Sequence, residues 1–386
     1  YANLGIDVLR IDAPAFIWKE KGTSCQNLPQ AHALLRLIKA AVHIATPGMA
    51  LLGEAIVAPR EIMKYFGTED FRGKECDMAY NATQMALQWD ALATGDTRVM
   101  LAAQPVLLEK PLGNTWITYT RCHDDIGLGF EDSSISAAGF NPYEHRKFLK
   151  DYYAGALSYS TARGALFSVN PRTQDARISG SLAALCGLES ALSIDPEKPA
   201  ERTAAIEMAV RKILLMQAMS FFLGGIPMVF YGDEWGAVND YSFLNDPGKA
   251  YDNRWMHRPV YNWKKMARID HPETVEAQIF TGTQNLLRLR KKFSCLADQA
   301  NLVWLTPHNI HVAGFVRENK QETIFALFNF SSSTAYLTWY AFKEKTRPAK
   351  TLKEHWSGQV LEVGPDNEYF VLAPHQFALL SVTAWA

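Results

Sequence analysis

The sequence predicts an α/β protein built on a parallel sheet with helical crossovers, followed by a small antiparallel β domain. Three observations carry this expectation. Short apolar strand-like runs alternate with helix-length stretches five times between residues 6 and 231. Carboxylates stand just beyond four of those runs, at Asp12, Glu54, Asp124 and Asp233. Beyond residue 301 the pattern changes to β-branched and aromatic alternation broken by turn residues.

Taken in order, the first strand spans Ile6 to Ile11, and Asp12 closes it. A helix follows from Pro29, a good first-turn residue, to Ala45, with Leu34, Leu35, Ile38, Val42 and Ala45 on one stripe. Pro47-Gly48 stops it. A second strand, Met49 to Leu52, ends at Gly53-Glu54 and precedes a helix from Pro59 to Tyr65. The third strand lies near Asp77 to Tyr80, with a helix from Ala82 to Leu92. The fourth, Trp116 to Thr120, runs out at His123-Asp124-Asp125. A long helix over Ala204 to Phe222 leads to the fifth strand, Ile226 to Tyr231, before Gly232-Asp233-Glu234. The last helix spans Glu273 to Lys291. Tail strands are expected at Val312 to Arg317, Thr323 to Phe330, Leu337 to Tyr340, Phe370 to Leu372 and Phe377 to Val382.

Composition narrows the function. The chain has 386 residues, 48% hydrophobic, 12% aromatic and 20% charged, an ordinary globular balance. Lys plus Arg is 39 against 40 for Asp plus Glu, a net charge of −1. No positive excess is present to neutralise nucleic acid or an anionic membrane, so the expected partner is neutral. No apolar run approaches the roughly 18 residues of a membrane span. The five cysteines are scattered and never form CxxC, a pattern that fits thiols in a reducing, cytoplasmic setting and no zinc site. The sequence opens on Tyr1 directly before a strand, so the natural start is expected to lie elsewhere.

Three carboxylates carry the chemistry. Arg10 and Asp12 are two apart on a strand and project from the same face. A guanidinium there would keep Asp12 ionised, as a nucleophile requires, or the pair is a structural one. Glu54 follows an apolar strand, where a raised pKa would suit a general acid; otherwise it is a solvated strand terminus. His123-Asp124-Asp125 offers three adjacent hydrogen-bonding groups suited to sugar hydroxyls. Two carboxylates flanking a sugar oxygen are what glycoside cleavage needs. HExxH, a P-loop, GxSxG and a GxGxxG after a strand are absent from the sequence.

These residues match motifs of the α-amylase family of glycoside hydrolases. "GIDVLRIDA" resembles its nucleophile strand, "LLGEA" its acid/base strand, "RCHDD" its third-carboxylate strand and "GGIPMVFYGDEWG" its eighth strand. The flanking "FIWKEKGTSCQNLPQAHALLR", "EAIVAP", "CHDDIG", "DARISG" and "NRWMHRPVYN" are similar to the amylosucrase subfamily. The resemblance implies a TIM (β/α)8 barrel, here lacking its first three βα units, plus a C-terminal antiparallel β-sandwich domain. It implies barrel strands 4 to 7 over residues 1–125 and an inserted lid-like domain over 126–182. The rest of the barrel would span 183–300 and the β domain 301–386.

Carried over position by position, Asp12 is implied as the nucleophile, Glu54 as acid and base, and Asp124 as the third carboxylate. Arg10 and His123 would assist. Arg254 resembles the arginine that closes the pocket behind the glucosyl ring, its partner expected in the missing units. Asp125, Arg177 and Ile56 resemble acceptor-side residues. The implied reaction cleaves sucrose, passes glucose to the 4-OH of an α-glucan and releases fructose without a cofactor. Alternatives are a sucrose hydrolase, another α-glucosidase, a sucrose phosphorylase and a non-catalytic carbohydrate-binding protein.

Overall fold

The computed structural model describes residues 1–107, 110–297, 301–342, 347–363 and 369–385. From the N-terminus, β1 (Val8–Ile11) leads to α1 (Pro29–Ala45), and β2 (Ala50–Gly53) to α2 (Pro59–Ile62). Next, β3 (Met78–Tyr80) leads to α3 (Ala82–Thr94) and α4 (Arg98–Leu107), before β4 (Thr115–Tyr119). An excursion follows, made of β5 (Ile126–Gly127), α5 (Asp132–Ala137), α6 (Pro142–Tyr153), β6 (Ala165–Phe167) and β7 (Arg177–Ser179). Then α7 (Leu182–Leu185), α8 (Leu188–Leu192) and α9 (Pro199–Phe222) return the chain to β8 (Ile226–Met228). Two more helices, α10 (Trp263–Met266) and α11 (Val275–Lys292), complete this half.

The sheet order is β1-β2-β3-β4-β8, with every pairing parallel. Ile11 lies opposite Gly53, Gly53 opposite Ala79, and Ala79 opposite Trp116. Parallel strands in sequential order deliver all their carboxyl ends to one rim, where catalytic groups of α/β barrels gather. Among the described residues the sheet is open and does not close into eight strands. The central β3 is buried along its length, while Val8 on β1 and Ile226 on β8 are exposed at the two edges. Strands covered on both faces read as continuous apolar runs, which is why β2 and β3 show little alternation.

Local chemistry sets the helices. Pro29 opens α1 at its first turn, and the Asn81 side chain accepts the Gln84 N–H to cap α3. Helix α1 buries Ala31, Leu35 and Lys39, whereas Ala45, expected inside, is exposed. Lys39 Nζ pairs with Asp77 at 2.6 Å, and Asp77 Oδ2 accepts the Leu51 N–H at 2.7 Å. That one carboxylate therefore fixes α1 against both β2 and β3.

The C-terminal part contains β9 (Leu302–Trp304), β10 (Val312–Glu318), β11 (Thr323–Asn329) and β12 (Ala335–Leu337). It continues with β13 (Ala349–Glu354), β14 (Val360–Glu362), β15 (Phe370–Leu372) and β16 (Phe377–Trp385). A six-stranded antiparallel sheet, β14-β13-β16-β11-β10-β9, faces the β12-β15 pair. The period of two divides β11 cleanly: Ile324, Ala326 and Phe328 join the core shared with α9, while Phe325 and Leu327 join the core beneath β12 and β15. Both faces are covered, so β11 is nearly all buried. Buried Arg317 on β10 donates to the Phe222 and Leu223 carbonyls, capping the end of α9 from the sheet.

Several expectations need correction. Of the strand expected over Leu337 to Tyr340, Leu337 ends β12 and a 3-10 turn runs from Trp339 to Phe342, while β13 and β14 were not foreseen. The fifth strand of the parallel sheet stops at Met228, short of Tyr231. The expected boundary at residue 300 falls on 298–300, outside the described residues. All five cysteines are free, with Cys76, Cys186 and Cys295 buried.

Gly225 joins α9 to β8 at φ +87°, and a Cβ there would sit 2.3 Å from the Trp116 carbonyl oxygen. Gly225→Ala is expected to destabilise the protein by at least about 1–3 kcal/mol from backbone strain, read from urea unfolding midpoints. An unchanged midpoint would contradict this packing of β8 on β4.

Candidate active site

The first pair of carboxylates is assembled by strand register. Asp12 follows β1, Glu54 follows β2, and the Ile11–Gly53 pairing sets them side by side. Arg10 bridges them, with Nη1 2.7 Å from Asp12 Oδ1 and Nη2 2.9 Å from Glu54 Oε1. The backbone turns sharply at Ala13 (φ +41°), whose N–H donates to Glu54 Oε2 at 3.1 Å.

Their environments differ. The Asp12 side chain is 77% exposed and that of Glu54 only 10%. The hydrogen bond from Arg10 holds Asp12 below the usual carboxylate range. Burial pushes Glu54 above it, with the neighbouring Asp12 adding to the shift. Two adjacent carboxyls with pKa values driven apart are equipped for different roles, one as an anion and one as a proton donor.

Asp124 is held by cations. Its Oδ1 accepts from Arg254 Nη1 at 3.1 Å and from Arg258 Nη2 at 3.0 Å, and His123 Nε2 lies 3.3 Å from Oδ2. Arg254 also pairs with Asp252 at 2.8 Å. The ligating atoms of Glu54, His123 and Asp124 lie within 4.8 Å of one another. Two arginines on the Asp124 carboxylate oppose a cation there, and the donor set does not fit a resident metal.

Behind Asp124 is buried His257. The Gly180 N–H donates to its Nδ1 at 3.0 Å, which leaves the proton on Nε2, 3.1 Å from the His123 carbonyl oxygen. Burial pushes its pKa down to about 3, consistent with a neutral ring. Arg258 Nε donates to the same carbonyl at 2.5 Å. The buried Arg121–Asp233 pair (2.8 Å) lies below, and Arg121 donates to the His257 carbonyl. Asp233, one of the strand-end carboxylates, thus serves this internal network and does not line the cavity. Arg121, His257 and Arg258 escaped sequence reasoning because they act through backbone carbonyls or from remote loops; the "RWMHR" run was the available signal.

A cavity of about 230 Å³ gathers six of the expected residues: Asp12, Glu54, Ile56, Asp124, Asp125 and Arg177. Arg10, His123 and Arg254 stand beside it, acting on the carboxylates. Asp125 accepts a hydrogen bond from Ser179 on β7, and burial raises its pKa. A second cavity of about 390 Å³ shares Ile56, Gly127 and Arg177 with the first and adds Gln26, Glu131 and Asp175. The site therefore has two adjoining chambers that share Ile56, Gly127 and Arg177.

The chain is similar to several known proteins. No family model matches the chain. It is 25% identical to trehalose synthase of Thermus thermophilus, the match covering 99% of this chain and 37% of that protein. It is 24% identical to glucosylglycerate phosphorylase of Escherichia coli (strain K12), covering 87% and 56% respectively. The comparisons support the α-amylase superfamily, glycoside hydrolase family 13. They do not single out amylosucrase. Among solved structures, sucrose 6F-phosphate phosphorylase from Thermoanaerobacter thermosaccharolyticum superposes with a TM-score of 0.61 at 16% identity, over 96% of this chain and 61% of that one. Cyclic α-maltosyl-(1→6)-maltose hydrolase from Arthrobacter globiformis gives 0.55 at 16% identity, over 99% and 57%. The chain thus spans about a third to somewhat over half the length of these curated relatives. Among the described residues no helix is long and apolar enough to cross a membrane.

The two carboxyls should titrate apart. In a carbon-13 NMR titration, Asp12 is expected to have a midpoint below 3.8 and Glu54 one above 4.5. Asp12→Asn removes a neighbouring negative charge, so the Glu54 midpoint should fall. A midpoint for Glu54 at or below that of Asp12 would contradict the assignment of their environments.

Proposed function

We propose that the chain carries the active site of a retaining α-glucosyltransferase that uses sucrose as glucosyl donor and an α-glucan 4-OH as acceptor. The observation that carries this reading is the Arg10-bridged pair, with Asp12 held below and Glu54 pushed above the usual carboxylate range, side by side. Both carboxyls touch the same Arg10 guanidinium, and this closeness favours double displacement with retention over an inverting pair spaced apart by a water.

In this reading Asp12 attacks the anomeric carbon of the glucosyl unit. Glu54 gives its proton to the departing fructosyl oxygen, then takes one back from the incoming hydroxyl. Asp124, fixed by Arg254 and Arg258, accepts hydrogen bonds from glucosyl hydroxyls and faces the positive charge that develops on the sugar. His123 and Arg10 hold the geometry. Asp125, Arg177 and Ile56 sit where the chambers meet, which is where an acceptor would approach. The lid-like role of residues 126–182 rests on β5 and β7, whose Gly127 and Arg177 contribute to both chambers.

Transfer and α-glucoside chemistry are supported by the relatives; sucrose is supported by the flanking segments, chiefly "GTSCQNLPQAH" and "DARISG". A sucrose hydrolase uses the same carboxylates, with water as acceptor. The larger second chamber favours a sugar acceptor.

The full-length protein incubated with sucrose alone should release fructose in excess of glucose and form α-glucan. Equal glucose and fructose without polymer would make it a hydrolase, and no product would overturn the sucrose assignment. Asp12→Asn should lower turnover by roughly three to four orders of magnitude, while surviving turnover would remove Asp12 as nucleophile.

A further inference from the structure

A separate cavity lies far along the chain from the catalytic residues, between α9 and the turn before β16. It encloses about 250 Å³, with Arg211, Leu214, Trp356, His375, Gln376 and Phe377 among its lining residues. None of these lines the catalytic chambers.

Three features make it more than a gap. His375 is buried, yet its imidazole makes no hydrogen bond among the described residues, and its Nδ1 is wholly enclosed. Its backbone is held at φ +50° by a bond from its own N–H to the Ser331 carbonyl. Left-handed backbone at a non-glycine residue costs energy and gathers at functional sites. The charges are also one-sided. Arg211 and Lys212 are the charged groups that act on His375, and neither forms an ion pair among the described residues. Arg211 is exposed at the rim and Lys212 partly buried, so the cavity presents positive charge beside an unpartnered buried ring, a combination that attracts an anion.

We propose that this cavity binds a small anion of the phosphate class, with room beside it for a sugar ring on a phosphate monoester. Arg211 supplies a forked donor to the phosphate oxygens. The imidazole of His375 supplies an N–H. Trp356, whose ring lies 5.0 Å from that of Phe377, forms an apolar wall against which a sugar face packs. Burial and the two cations lower the His375 pKa to about 3, so the ring would act as a neutral donor unless the bound anion raised it.

The test uses inorganic phosphate and glucose 1-phosphate as probes, at constant ionic strength against chloride, by calorimetry and imidazole nitrogen-15 NMR. Both should bind and shift the His375 ring signals. Arg211→Gln should weaken binding by about tenfold or more without lying in the catalytic cavity. His375→Asn, which suits left-handed backbone, should preserve folding and weaken binding as well. Phosphate binding no stronger than chloride, or unchanged in both variants, would overturn the proposal. Glucose binding as tightly as glucose 1-phosphate, and lost in Arg211→Gln, would also overturn it, because the site would then read a neutral sugar.

Discussion

The Arg10 guanidinium, set between two carboxylates, is the contact on which the site depends. It lowers the pKa of one neighbour, while withdrawal from water pushes that of the other up. Neither effect would exist without the parallel pairing of β1 and β2, because a shift of register by one residue would turn Arg10 and Asp12 to the opposite face. The architecture therefore acts on the chemistry through one ladder of backbone hydrogen bonds.

The third carboxylate is secured differently. Asp124 sits beyond β4, and its position comes from a loop that supplies Arg254, His257 and Arg258. His257, neutral and buried, ties the His123 carbonyl to Gly180, at the start of the helices leading to α9. The buried Arg121–Asp233 pair anchors that loop from below. Removing one member of such a network leaves a buried charge unpaired, which costs more than the pair's net contribution to stability. The loops that carry Asp124 are therefore rigid parts of the fold, despite their irregular backbone.

How much of this could be read in the sequence depends on the kind of signal each element leaves. Helix α1 was legible to the residue, because Pro29 and the Thr46-Pro47-Gly48 stop are local. The carboxylates at strand ends were legible because a period of two and a terminal Asp or Glu suffice to place them. The strands β13 and β14 were not, since β13 carries two lysines and a glutamate, β14 buries no residue, and the distant β16 holds β13 in the sheet. The β11 strand was legible, but that α9 covers one of its faces and β12 with β15 the other was not. Arg258 and His257 left no spacing signal, because a hydrogen bond to a backbone carbonyl depends on loop geometry alone. The open sheet, with Val8 and Ile226 exposed at its edges, agrees with five βα units and gives no closed barrel by itself.

The central claim is that Asp12 forms a covalent bond to a glucosyl group while Glu54 manages the proton. It is tested most directly with a Glu54→Gln variant of the full-length protein and α-glucosyl fluoride, whose leaving group needs no acid. Intact mass and peptide mapping should show one glucosyl residue attached by an ester to Asp12. Attachment to another side chain, or release of fluoride with inversion and no adduct, would contradict the account.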